Sequence, residues 1–334
     1  MKFLLLILSL FCFGVLGAET DSAKSFLERL SKSLRELNFT TSFVVVKNNQ
    51  VAPYHWLHGL GADNQELEIF TRLNGSRRDI LRRGDIVSYI EPEKEAYSVI
   101  SKNIQGPIPA IFRGNISQLE ANYRFISVGR SRVLGRVAQL VRIVAKDKYR
   151  FSYWLWLDQQ TGLLLKMAVV TRKGQVLEQV QFTHIEVNEK LLESLDKFQT
   201  ADLPAIVKVN PLQKYQALGW QVSWLPEGFA VVKSNTHNLS GYNQDADKAV
   251  EFVMLSDGLI DVSVYVNTSR ESFMAPEYAS DGATIVFNHI LQGVEVGIVG
   301  KIPLVTAKKI AESIVALPVN NAAQPIDIFE GDTK

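Results

Sequence analysis

The chain has 334 residues, 46% of them hydrophobic and 21% charged, with a formal net charge of +1. That composition excludes general disorder, and the length favours two domains over one core. Its single cysteine, Cys12, excludes a disulfide framework, so stability has to come from apolar cores.

Met1 and Lys2 precede an apolar run at 3–16 and then Gly17-Ala18-Glu19, the layout of a secretory signal peptide over residues 1–18. The run is shorter than the roughly 18 to 20 residues that span a bilayer, which disfavours an anchor. Phe11, just before Cys12, is too large for a lipoprotein cleavage site, so no lipidation is expected. Once the signal is removed no thiol remains, which rules out thiol catalysis and cysteine metal sites.

Residues 19–200 read as the first domain. Asp21 or Ser22 can cap a helix whose stripe is Phe26, Leu27, Leu30, Leu34 and Leu37. β-Branched and aromatic runs follow at 39–46 and 51–57, then at 67–73 up to Asn74-Gly75, and at 76–81, 86–90 and 96–100. The stretch 105–112 holds Gly106, Pro107 and Pro109 and cannot be regular. Its Ile108, Ile111 and Phe112 suit either a core plug or the lip of a ligand cavity. Asn115 or Ser117 can cap a short helix up to Tyr123.

A hairpin comes next. Val137, Val141 and Ile143 share one side, and beyond Lys146-Asp147-Lys148 the residues Tyr149, Phe151, Tyr153, Leu155 and Leu157 alternate again. Trp154 and Trp156 fall on the opposite side, so this sheet asks for a cover on both faces. Strands at 163–171 and 175–187 bring the total to about ten, mostly antiparallel because the connections are short. Asn188 can cap a helix through Phe198, and Pro204 and Pro211 mark a linker at 201–218.

The second domain, 219–318, opens with Gly219-Trp220 and the LPEGF segment at 225–229. It holds extended runs at 231–233, 250–255, 259–266, 284–288 and 293–300, and a helix capped by Thr306 that ends before Pro318. The class is therefore α+β throughout. The tail, 319–334, is expected to be disordered.

Charge is unevenly spread. Between residues 70 and 150, 16 Lys and Arg stand against 7 Asp and Glu, a local balance of +9; from 221 to 334 the balance is −7. The first half thus suits an anionic ligand, or the two halves dock on each other, and head-to-tail self-association follows from the same asymmetry. No Walker loop, GxSxG elbow or HExxH occurs, and no catalytic residue, cofactor or metal site is assigned. His55 and His58 are the only close histidines, but three apart in a strand they face opposite sides. Arg77, Arg78, Arg82 and Arg83 bracket one strand, and Arg130, Arg132 and Arg136 flank a glycine-bounded turn. Guanidinium groups recognise phosphate and carboxylate, so these arginines together with Trp154 and Trp156 are the candidates for contact with an anionic lipid. The tryptophans alternatively pack beneath the covering helix. A secretory signal argues against nucleic acid as the partner.

The segments SYIEP (88–92), FISVGRSR with GR (125–136), RIVAKD, YRFSYWLWLD, LPEGF, LSDGL (255–259) and VGKIP with TAKKIAESI (299–314) resemble the RseB/MucB family, in order and over nearly all the mature chain. The resemblance implies a lipoprotein-carrier-like, unclosed and strongly curved antiparallel half-barrel with helices inside it, followed by a smaller α+β domain. It also implies a periplasmic negative regulator of sigma-E signalling. Such a protein binds the periplasmic segment of a membrane-spanning anti-sigma factor, shields it from site-1 proteolysis, and releases it when lipopolysaccharide or the acyl chains of mislocalised lipoprotein bind. Phe229, Asp257 and Tyr265, placed in the recognisable segments of the second domain, are the candidates for partner contact. A periplasmic lipid or lipoprotein carrier is the alternative; an envelope hydrolase lacks any motif.

Overall fold

The computed structural model describes residues 22–207, 218–238, 249–267 and 277–317; the expected signal peptide, the centre of the linker and the tail lie outside them. Helix α1 (Ala23–Glu36) starts where Ser22 accepts the Ser25 N–H, a side-chain cap on an otherwise orphaned donor. Phe26, Leu27, Leu30 and Leu34 recur at helical spacing and are all buried.

They are buried against a sheet of eleven strands. In chain order these are β1 (Asn38–Lys47), β2 (Gln50–Leu60), β3 (Glu66–Arg72), β4 (Arg78–Arg83), β5 (Ile86–Ile90), β6 (Tyr97–Ile100), β7 (Tyr123–Val133), β8 (Arg136–Ala145), β9 (Ser152–Asp158), β10 (Leu164–Val170) and β11 (Val176–Asn188). Their spatial order is β6-β5-β4-β3-β2-β1-β11-β10-β9-β8-β7, antiparallel throughout. The two meanders are stitched together by the long-range pairing of β1 with β11. The end strands β6 and β7 do not pair, so the curved sheet stays open. The segment between them, with 3-10 turns at Ala110–Arg113 and Ile116–Ala121, drops Phe112, Ile116 and Leu119 into the concave side beside α1.

The convex face has its own cover, displaced from the place the tryptophans suggested. Helix α2 (Glu193–Gln199) sets Leu195 and Phe198 on Leu57, Leu67, Ile69 and Leu81 of β2 to β4. Asn188 is not its cap: β11 runs on to Asn188, and the helix begins after Leu192 because the β1 ladder holds the preceding backbone extended.

The second sheet has the order β13-β14-β15-β18-β17-β16, built from β13 (Ala230–Asn238), β14 (Ala249–Ser256), β15 (Asp261–Asn267), β16 (Tyr278–Asp281), β17 (Thr284–Leu291) and β18 (Val294–Gly300). Helix α3 (Leu304–Glu312) packs Ala307, Ile310 and Ala311 onto it. Its first turn starts at Leu304 rather than after Thr306, whose hydroxyl instead donates to the Tyr149 carbonyl at 2.9 Å. A short ladder of β12 (Trp220–Val222) with β19 (Ile314–Ala316) joins the two ends of this unit. Ile206, in the stretch expected as linker, bridges to Ser98 beside the edge strand β6.

Candidate functional site

Two clusters of buried charge organise the molecule. The first lies on the concave floor. Glu68 on β3 is 1% exposed and takes Trp56 Nε1–H at 2.9 Å, Arg113 at 2.5 Å, and the Arg82 guanidinium. Glu66 receives Arg113 at 2.6 Å and also Arg82. Burial alone would raise the Glu68 carboxyl, but the Arg113 and Arg82 charges outweigh it and hold the group down at about 2. A carboxylate so saturated is no general acid or base. Its physical effect is to pin Arg113, and with it the 101–122 segment, onto the sheet. His58 completes the cluster: its Nδ1 lies 2.7 Å from the Leu37 carbonyl, which can only accept, so Nδ1 carries the hydrogen. Beside this floor Trp56, Phe70, Ile104, Pro107 and Ile108 line a small pocket of about 30 Å³, partly open to solvent. That is room for little more than a methyl group or a water. Phe112 is thus the plug and Ile108 the lip.

The second cluster is the joint between the two sheets. Arg150 is 1% exposed, although it stands at the foot of β9. Its Nε donates to Asp257 at 2.7 Å, its other nitrogens reach Asp147 and the Glu227 carbonyl, and its plane lies over Phe229 at 4.9 Å. Tyr123 donates to the same Asp257 oxygen at 2.8 Å. Burial and the Asp257 charge push the Tyr123 hydroxyl far up, so it stays a donor. The other Asp257 oxygen accepts the N–H groups of Leu259 and Ile260. Gly228 has φ +79° and turns the LPEGF segment tightly past Asn122, where a Cβ would overlap the amide. Around the rim, Lys47 pairs with Asp281, Lys301 with Glu178 at 2.8 Å, and Lys309 sits over Trp224 at 4.0 Å.

The candidates named from sequence separate sharply. Arg82 is locked in the floor and Arg83 donates to the carbonyls of Phe198, Gln199 and Ala201 at the end of α2, so neither is free for a ligand. Arg77 pairs with Asp79 and Arg78 with Glu91, and Arg136 with Asp158 at 2.8 Å. Arg130 and Arg132 are exposed on β7. Trp154 and Trp156 are half-buried on the convex face, ring to ring at 6.4 Å, and the helix expected to cover them is α1, on the other side of the sheet. Asp257 and Phe229 are turned into the joint instead of outward, because Arg150 needs a counter-ion there; Tyr265 alone of the three is exposed, at 38%. Sequence reasoning passed over Arg150, Glu66, Glu68 and Arg113. Arg150 and Asp257 are 107 residues apart, and no periodicity reports a pair at that distance.

Two family models match the chain in succession: the MucB/RseB N-terminal domain over residues 22–207 and the MucB/RseB C-terminal domain over 214–315. The chain belongs to the MucB/RseB family. The sigma-E factor regulatory protein RseB of Escherichia coli (strain K12) is 30% identical, over 90% of this chain and 93% of the relative. The sigma factor AlgU regulatory protein MucB of Pseudomonas aeruginosa is 28% identical, over the same shares. A crystal structure of MucB in complex with MucA(peri) superposes with a TM-score of 0.68 at 28% identity, covering 88% of this chain and 98% of that one. Both sheets of this family member, and the joint between them, fall within the matched length.

Proposed function

We propose that this protein is a periplasmic negative regulator of sigma-E-type signalling, exported by a cleaved signal peptide. It binds the periplasmic segment of a membrane-spanning anti-sigma factor and shields that segment from site-1 proteolysis. The observation that carries this reading is the superposition, across both domains, on a MucB determined together with MucA(peri). Glu68 and Asp257, the acids at the centres of the two clusters, are taken up by Arg82, Arg113 and Arg150 and so hold segments of the chain together. Tyr265, exposed on β15 against Phe252, is the remaining candidate for partner contact among the three named. Release on binding lipopolysaccharide or lipoprotein acyl chains belongs to the same reading, and such a ligand acts only by as much as it prefers the partner-free state.

The test is calorimetry of the full mature chain against the periplasmic segment of its host's anti-sigma factor. Saturable one-to-one binding is expected. No heat at micromolar concentration, with lipid co-purifying instead, would favour the second reading, a periplasmic lipid or lipoprotein carrier.

A further inference from the structure

Along β8, β9 and β10 the residues Val141, Leu155 and Met167 point into the core, so their alternate neighbours stand on the convex face. Two cross-strand rows result. One runs Ile126, Arg142, Trp154, Ala168; the other runs Leu140, Trp156, Lys166. The Arg142 guanidinium lies 4.5 Å over the Trp154 ring, and Lys166 Nζ lies 4.8 Å over Trp156. The turn after β10 brings Gly174 to the edge of Trp154, which places the exposed Arg172 and Lys173 beside the same patch. Arg124 is exposed on the same side of β7 as Ile126. Beyond β10 the rows continue into Gln179 and Gln181, not into carboxylates. Among the described residues, none of Arg124, Arg142, Lys166, Arg172 and Lys173 has an acidic partner, and Arg142 Nε is buried with no hydrogen bond.

We propose that this convex face docks on an anionic phospholipid leaflet, with Trp154 and Trp156 at headgroup depth and the five cations against lipid phosphates. The charge is of one sign and uncompensated, which suits an anionic surface. The aromatic rings decide for a bilayer over an acidic protein. An indole has an apolar body and an N–H that favours the membrane–water boundary, and among the described residues no protein acceptor takes the N–H of either tryptophan. Exposed Ile126, Val128 and Leu134 along the edge of the same sheet supply the shallow apolar contact that such docking adds to charge. The proposal stands apart from the anti-sigma reading, because the pocket and the domain joint take no part in it. It would hold the protein in the two-dimensional neighbourhood of any membrane-embedded partner, raising its effective concentration there.

Co-sedimentation of the full mature chain with vesicles of phosphatidylcholine, with and without a third of phosphatidylglycerol, tests it. Binding is expected only to the anionic vesicles and only at low salt, with tryptophan emission quenched by brominated lipid and the quenched component reduced in Trp154→Phe and lost when Trp156→Phe is added. Arg142→Gln with Lys166→Gln is expected to weaken partition roughly 30-fold, two cations removed. Arg172→Gln with Lys173→Gln, both in an exposed turn and so harmless to folding, is expected to weaken it comparably. Equal binding to neutral vesicles, undiminished binding by both double variants, or a patch whose substitution changes only self-association in sedimentation would each overturn the proposal.

Discussion

At the residue scale the two buried charge clusters differ in what removing one partner does. Arg150→Met leaves Asp257 inside the joint with only Tyr123 and two backbone N–H groups. The cost is expected to be about 3–5 kcal/mol, read from the urea midpoint at unchanged slope, since an unpaired buried carboxylate is far costlier than the pair is stabilising. The floor cluster makes a prediction in pH. Burial lowers the His58 pKa below the usual imidazole value, with Glu68, Glu66, Arg113 and Arg82 around it. The unfolded chain then takes up a proton near pH ~6.5 that the folded chain refuses, so stability is full above that value and declines as pH falls below it. Glu68, held at about 2, behaves in the same sense lower down: its contribution is present above the unfolded value near ~4.3 and is lost as pH falls toward about 2. A His58→Gln variant is expected to flatten the thermal midpoint between pH ~5 and ~7 while leaving the acid limb in place. A profile identical to the parent's would show that His58 is not the group responsible.

At the element scale α1 buries Phe26, Leu27, Leu30 and Leu34, with Leu27 and Leu30 at 0% exposure. Leu30→Ala is expected to cost about 2–5 kcal/mol by chemical denaturation, because the rigid sheet beneath cannot collapse into the space left. This helix was readable in advance from its cap and its stripe, and so were the hairpin strands, whose alternation is dense and whose turns carry Gly or Asn. The structure places eleven strands where about ten were expected. The pieces that escaped were those whose position depends on something distant. β12 and β19 have three residues each, too few for alternation to show, and exist only because they pair with one another. α2 starts late because β11 is held by β1. The curvature itself is not written in any local pattern. The candidate sites were legible as residue types and not as partners: the seven arginines could be named from the sequence, but whether each meets a carboxylate, a helix end or water was decided by residues up to 118 positions away.

At the scale of the whole molecule the question is whether the two sheets behave as one body. Their opposite charge appears at the rim, where Lys47 meets Asp281, but the pairing at the centre is an arginine and an aspartate without access to water. One apolar core runs through both units, from Phe26 and Leu155 by way of Leu119 and Tyr123 to Phe229, Leu255 and Ile310. Continuous burial of this kind couples the units, because opening the joint exposes apolar surface and the Arg150–Asp257 pair together. Urea unfolding of the mature chain is therefore expected to be a single transition, coincident by tryptophan emission and by circular dichroism. High salt is expected to change it little, since screening reaches the exposed rim pairs and not the buried one. Gly228→Ala attacks the joint without removing a charged side chain: it forces the LPEGF turn, with the Glu227 carbonyl and Phe229 ring that Arg150 meets, off Asn122 at a positive φ that alanine resists. That variant is expected to separate the single transition into two, the second sheet melting first because it lacks a long covering helix of its own. If the two probes stayed coincident in Gly228→Ala, the close approach of the two backbones at this turn would not be what couples the sheets.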